Sequence, residues 1–155
     1  MRKLILLVSH LAMLAFGFSL GIYALPILTA PPAPDLAMLE QTAKAALYNT
    51  EFKRDLKGSD FLHWGEGKVS VTADKIVHMG KLAPGPDYKL YLTKTFVEDE
   101  AEFEKIKQQA LRLGDIKTFD GFITPIPEGT DLEAYTTLVI WCEAFGEFIT
   151  AAKYR

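Results

Sequence analysis

The sequence predicts a mainly β domain, a sandwich or small barrel, preceded by an N-terminal transmembrane helix, with a following amphipathic helix and one inserted helix. Three observations predict it. Apolar residues make up 49% of the 155, and 22 of them crowd into the first 34 positions. From residue 61 onward the pattern changes to short alternating or apolar runs separated by turn residues, the signature of strands. Only Glu98–Leu113 breaks that rhythm with a helical period.

The first element is the apolar run from Leu4 to Ala30, in which 20 of 27 residues are apolar and none carries a fixed charge. A helix needs roughly 20 such residues to cross the hydrocarbon core. A cleaved signal has a shorter run of about 7–15 residues and a small-residue exit. Here Leu28-Thr29-Ala30 is followed at once by Pro31-Pro32, a poor context for cleavage. Residues 1–30 are therefore read as an uncleaved anchor, with a signal peptide as the alternative. The nearby cations, Arg2 and Lys3, place the N-terminus in the cytoplasm and the domain in the periplasm or outside, on the cytoplasmic membrane. Gly17 and Gly21 form a small-xxx-small pair through which two spans could pack as a homodimer, although glycines scattered in a membrane helix are commoner. His10, inside the run, is given no role.

Residues 31–59 follow as a proline spacer (Pro31, Pro32, Pro34) and a helix capped by Asp35. Its apolar positions Leu36, Leu39, Ala43, Leu47, Phe52 and Leu56 keep helical spacing, with an irregularity at Asn49-Thr50. Residues 60–155 then form the β domain. Strands are expected at Lys68–Thr72, Lys75–Met79, Tyr88–Thr93, Ile116–Thr118, Gly121–Ile126, Thr136–Glu143 and Phe148–Ala152. Turn residues such as Pro84-Gly85-Pro86-Asp87 and Pro127-Glu128-Gly129 separate them. The inserted helix has Asp99 and Glu102 as a capping box, Phe103, Ile106, Ala110 and Leu113 as its buried stripe, and Gly114 as its stop.

Beyond residue 34 there are 15 basic and 20 acidic residues, a net charge of −5. Such a surface repels nucleic acid and anionic lipid. Cys142 is the only cysteine. An internal disulfide is impossible, and the multi-cysteine patterns of zinc, cluster or covalent haem sites are absent. In the run Leu138–Glu143, alternation puts Cys142 on the face of Leu138 and Ile140, and Trp141 on the face of Val139 and Glu143. A lone cysteine reads either as a small core residue or as a reactive thiol, and the second requires exposure and a lowered pKa. His63 and His78 are weak candidates for a metal or haem, since nothing in their spacing pairs them. No cofactor signature is evident, and haem stays open. Ser59 and Ser70, the serines after the apolar run, lie in no nucleophile elbow. Asp60, Glu66, Asp87, Asp131 and Glu143 could supply a carboxylate pair, but with 20 acidic residues such pairs arise by chance.

Three separated segments, in order, resemble the DM-thirteen domain, the electron transfer DM-thirteen family. They are Asp60–Val71, with Gly67-Lys68-Val69 opening a strand after His63; Ala83–Leu92, with Gly85-Pro86-Asp87 entering a strand that carries Tyr91-Leu92; and Leu132–Phe145, closing on Val139-Ile140-Trp141-Cys142. The segment Gly21–Pro34 also resembles the membrane-anchored bacterial members. The resemblance implies a β-sandwich whose redox residue is Cys142, with Trp141 as its motif neighbour and Gly85, Pro86 and Asp87 as a motif loop that reads equally as a turn. In larger proteins the domain stands beside haem- or sugar-binding DOMON modules and cytochrome-type membrane domains, and the electron-transfer suggestion comes from that company. This sequence departs from the pattern between Thr95 and Gly114, and of the following glycine-rich segment it keeps Gly121 and Ile126-Pro127. The expected function is a membrane-anchored extracytoplasmic accessory for electron transfer or thiol redox chemistry with a redox partner protein. The alternative is a non-catalytic protein- or ligand-binding module tethered to the membrane; a conventional enzyme is the weakest reading.

Overall fold

The apolar run folds as α1 (Arg2–Thr29), a helix of 28 residues long and apolar enough to cross a membrane. Three of its polar side chains turn inward on their own backbone: Ser9 and Thr29 donate to the carbonyls of Leu6 and Leu25, and the His10 ring bonds the Leu6 carbonyl at 2.7 Å. Such bonds leave little polar surface for lipid to desolvate. The computed structural model describes all 155 residues.

After the prolines, α2 (Leu36–Ala43) starts where Asp35 accepts the Met38 N–H at 2.7 Å. It is shorter than the helix expected to reach Leu56. Tyr48–Phe52 is instead strand β1, because Tyr48, Thr50 and Phe52 also fit a period of two and that register satisfies the backbone against a neighbouring strand. Strands β2 (Gly65–Val71), β3 (Lys75–Leu82) and β4 (Tyr88–Thr93) follow. The inserted helix α3 (Glu100–Ile106) begins at Asp99, which accepts the Glu102 N–H at 2.8 Å, while the Glu102 carboxylate accepts the Glu98 N–H at 2.9 Å. It was expected to run to Leu113. After one tighter turn over Lys107–Gln109, however, Leu111–Ile116 becomes β5. Leu111 and Leu113 reach the core by strand alternation, and Gly114 lies inside the strand instead of ending a helix. The separate strand expected at Ile116–Thr118 is absent, since Ile116 closes β5. β6 (Phe122–Pro125), β7 (Thr137–Cys142) and β8 (Glu147–Lys153) complete the domain.

The strands form two antiparallel four-stranded sheets, ordered β1-β2-β3-β6 and β5-β4-β7-β8. Together they make the expected sandwich. The main core lies between them, with Val69, Ile76 and Phe122 from the first sheet against Leu90, Ile140 and Ile149 from the second. A second apolar cluster covers the outer face of the second sheet, where Phe103 of α3 meets Tyr91, Val139, Trp141 and Phe148. Covered on both faces, β4 and β7 are buried along their whole length, which explains their continuous apolar runs.

His78 of β3 is fully buried between Phe52 and Phe122, with ring centroids at 5.3 and 5.0 Å. Nε2 donates to the Glu66 carbonyl at 3.0 Å, and Nδ1 has no partner. Burial, against a smaller opposing effect of the Glu66 carbonyl, pushes its pKa down from 6.5 to about 4. The unfolded chain therefore takes up a proton below pH 6.5 that the folded chain refuses until about pH 4. Stability is expected to be fully present above pH 6.5 and to fall as pH drops towards 4, by about 3 kcal/mol in total. Denaturant unfolding across this window should show that slope, and His78→Leu should flatten it.

Candidate functional site around Cys142

β4 and β7 are antiparallel neighbours, so the start of β4 lies against the end of β7, and Tyr88 pairs directly with Cys142. This register joins two segments that lie far apart in sequence. The loop entering β4, Pro84-Gly85-Pro86-Asp87, is carried to the sulfur, and the Asp87 carbonyl accepts the Glu143 N–H at 2.9 Å. Gly85 lies flat on the Tyr88 ring: a Cβ there would come within 2.4 Å of ring atoms. On the other side β7 turns into β8 through Glu143–Gly146. Gly146 has φ +70° and donates to the Cys142 carbonyl at 2.9 Å, leaving Phe145 at the turn's tip.

Between these loops is a cavity of about 220 Å³ lined by Cys142, Tyr88, Gly85, Pro86, His63 and Phe145, and closed on one side by Ile22 and Tyr23 of α1. Cys142 as a whole is only 2% exposed and belongs to the main core. Burial pushes its thiol pKa up, and the backbone amides of Phe145, Asp87 and Ala144 offset part of that rise. Cys142 is thus a neutral S–H at physiological pH. His63 Nδ1 lies 3.1 Å from Asp60 Oδ2. Partial burial raises the Asp60 carboxyl, but the bonds from the His63 ring and from the N–H groups of Leu62 and His63 outweigh it and hold the group below its ordinary value.

The other expected residues separate from this cavity. Trp141 points to the opposite face, as alternation requires, and stacks on Phe103 at 5.0 Å with Lys107 Nζ 5.1 Å from its ring centre. The Asp87 side chain turns to Lys89 at 2.5 Å, and Lys89 also meets Asp115 at 3.0 Å. His78 is inside the core, and nothing pairs it with His63. The five acidic candidates have separate duties: Asp60 holds His63, Glu66 faces Arg54, Asp87 pairs with Lys89, Glu143 pairs with Lys107, and Asp131 caps a one-turn helix. No group of three or more His, Cys, Asp or Glu side chains is arranged to hold a metal ion.

Two features are not apparent from sequence. Tyr88 and Tyr23 reach the cavity only through strand register and the placement of α1. On the outer face, the Tyr91 hydroxyl donates to Glu143, which also pairs with Lys107 at 2.5 Å. The one available signal is the alternation that puts Tyr91 and Glu143 on the face opposite Cys142.

The family model "Electron transfer DM13" matches residues 51–154, from the end of β1 to the residue after β8. The chain belongs to the electron transfer DM13 family. Comparison with curated proteins and with solved structures returned no match. In this DM13 domain the G-P-D loop and the W-C strand, separate in the sequence, form adjoining walls of one cavity. Gly85→Ala is expected to force the loop off Tyr88 and destabilise the fold by about 1–3 kcal/mol, the usual range for overpacking. The denaturation midpoint measures this; an unchanged midpoint would mean that the loop does not need its glycine.

Proposed function

We propose that this protein is a membrane-tethered accessory of an electron-transfer system, with its DM13 domain outside the cytoplasm and its working part the cavity above Cys142. The observation that carries this reading is the convergence of Gly85 and Pro86, Tyr88, His63 and the lone thiol on one small space. Membership of the electron transfer family supports it, and α1 is long enough to serve as the tether.

The thiol's burial narrows the chemistry. With 2% of the residue exposed, a protein disulfide cannot reach the sulfur in this conformation, whereas a small molecule that enters the cavity meets a neutral S–H. If that small molecule is an oxidised one-electron carrier, it takes one electron from the sulfur, a base takes the proton, and a thiyl radical remains until the next donor reduces it. His63 is the base in the cavity lining, with its Nδ1 held by Asp60 and Nε2 the ring nitrogen left to take a proton. Gly85, Pro86 and Phe145 shape the space, and Tyr88 closes the wall beside the sulfur.

The same burial favours a second reading, in which the cavity only binds a ligand and Cys142 is part of its apolar floor. Two measurements on the full-length chain separate them. On the first reading, a small uncharged thiol reagent modifies Cys142 in the folded protein while a bulky one does not, and membranes carrying Cys142→Ser pass electrons no faster than membranes lacking the protein. A folded thiol inert to both reagents, with unchanged electron flux in Cys142→Ser membranes, would overturn the redox role and leave the binding module.

A further inference from the structure

We propose that the cavity end of the sandwich sits on the bilayer itself, with Phe61, Leu62 and Phe145 dipping into the outer leaflet beside the emerging α1, so that the cavity opens toward the headgroup region and not toward bulk water. This rests on the reading of α1 as a membrane span. The first support is the apolar tip. Phe61 is 85% exposed and Phe145 56% exposed, on two different loops, and Phe145 and Leu62 both line the Cys142 cavity. Asp60 turns back to accept from the N–H groups of Leu62 and His63, leaving the Phe61 ring at the tip. Exposed aromatic residues gathered at one end of a domain are the usual sign of an interaction surface.

The second support is independent and concerns depth. About 20 residues cross the hydrocarbon core, and counted from Leu4 that length ends at Tyr23, an aromatic of the kind found at membrane interfaces. Ser19, Ile22 and Tyr23 are the α1 residues that line the cavity alongside Leu62 and Phe145. The end of the helix and the residue just after it, Pro26, Thr29 and Ala30, run along Gly85, Pro86 and Phe119. The domain therefore touches α1 at the height where the span leaves the hydrocarbon, and its loop tips lie at the same level. The occupant of the apolar tip is the lipid interface, continuous with the span. An anionic lipid surface is not needed, because residues beyond the span carry a net charge of −5 and the contact is apolar.

The test places a single added tryptophan in the full-length chain in phosphatidylcholine nanodiscs. Its emission is compared between unlabelled lipid and lipid brominated either near the headgroup or deep in the chain. The emission of the unsubstituted protein is subtracted. Phe61→Trp and Phe145→Trp should lose at least about half of the added emission to the shallow bromines and less to the deep ones, as for an element seated about 5–10 Å into the interface. Leu47→Trp, at the opposite end of β2 where the Leu47 N–H bonds the Val71 carbonyl, should be unaffected. Leu14→Trp, in mid-span, should be quenched most by the deep bromines. If Leu14→Trp is quenched while Phe61→Trp and Phe145→Trp behave like Leu47→Trp, the domain does not sit on the bilayer although its tether spans it. If Leu14→Trp is also unquenched, the tether itself fails and the seat with it.

Discussion

The pairing of β4 with β7 is the constraint on which the rest depends. It is the central ladder of the second sheet, buried on both faces, and its register sets Tyr88 opposite Cys142 and Lys89 opposite Trp141. A slip of one residue would turn every side chain of one strand to the wrong face. If β7 slipped, Leu138, Ile140 and Cys142 would leave the main core, and Trp141 would leave the cluster under α3. The hydrophobic pattern therefore fixes the register, and the register delivers the Gly85-Pro86 loop to the thiol. The site follows from the requirements of the core.

The same strand divides its chemistry between two environments. Cys142 faces inward, where burial keeps the thiol protonated and the neighbouring amides soften that effect without reversing it. Trp141 and Glu143 face outward, toward Phe103, Lys107 and the Tyr91 hydroxyl. On that side burial alone would raise the Glu143 carboxyl, but its bonds with Lys107 and Tyr91 hold it below the ordinary range. The W-C pair in the motif is thus not one reactive unit. Cys142 lines the cavity, and Trp141 packs under α3 on the opposite face of the sheet.

Features set by neighbouring residues were legible in the sequence. The caps at Asp35 and Asp99 mark where α2 and α3 begin, and the apolar run Tyr88–Thr93 is β4. The separation of Cys142 from Trp141 follows from alternation alone. Features set by distant residues were not. Phe52 and Leu113 satisfy a helical spacing as well as a strand's. The choice is made by β2 and β4, which offer main-chain partners far away in the chain. For the same reason the motif loop, His63 and the thiol were readable as separate candidates, while their meeting, and the parts played by Tyr88 and Tyr23, depend on a register that no local pattern displays.

The central claim is that the cavity holds a neutral, buried thiol, and the ionisation of Cys142 tests it most directly. Thiolate formation in the folded full-length chain can be followed by its ultraviolet absorbance as pH rises, with Cys142→Ser as the blank for tyrosine ionisation. The account predicts a midpoint above the ordinary thiol value of about 8.5, because burial outweighs the Phe145, Asp87 and Ala144 amides. A midpoint below neutrality would contradict it, since it would mean that the sulfur sits in the site as a thiolate.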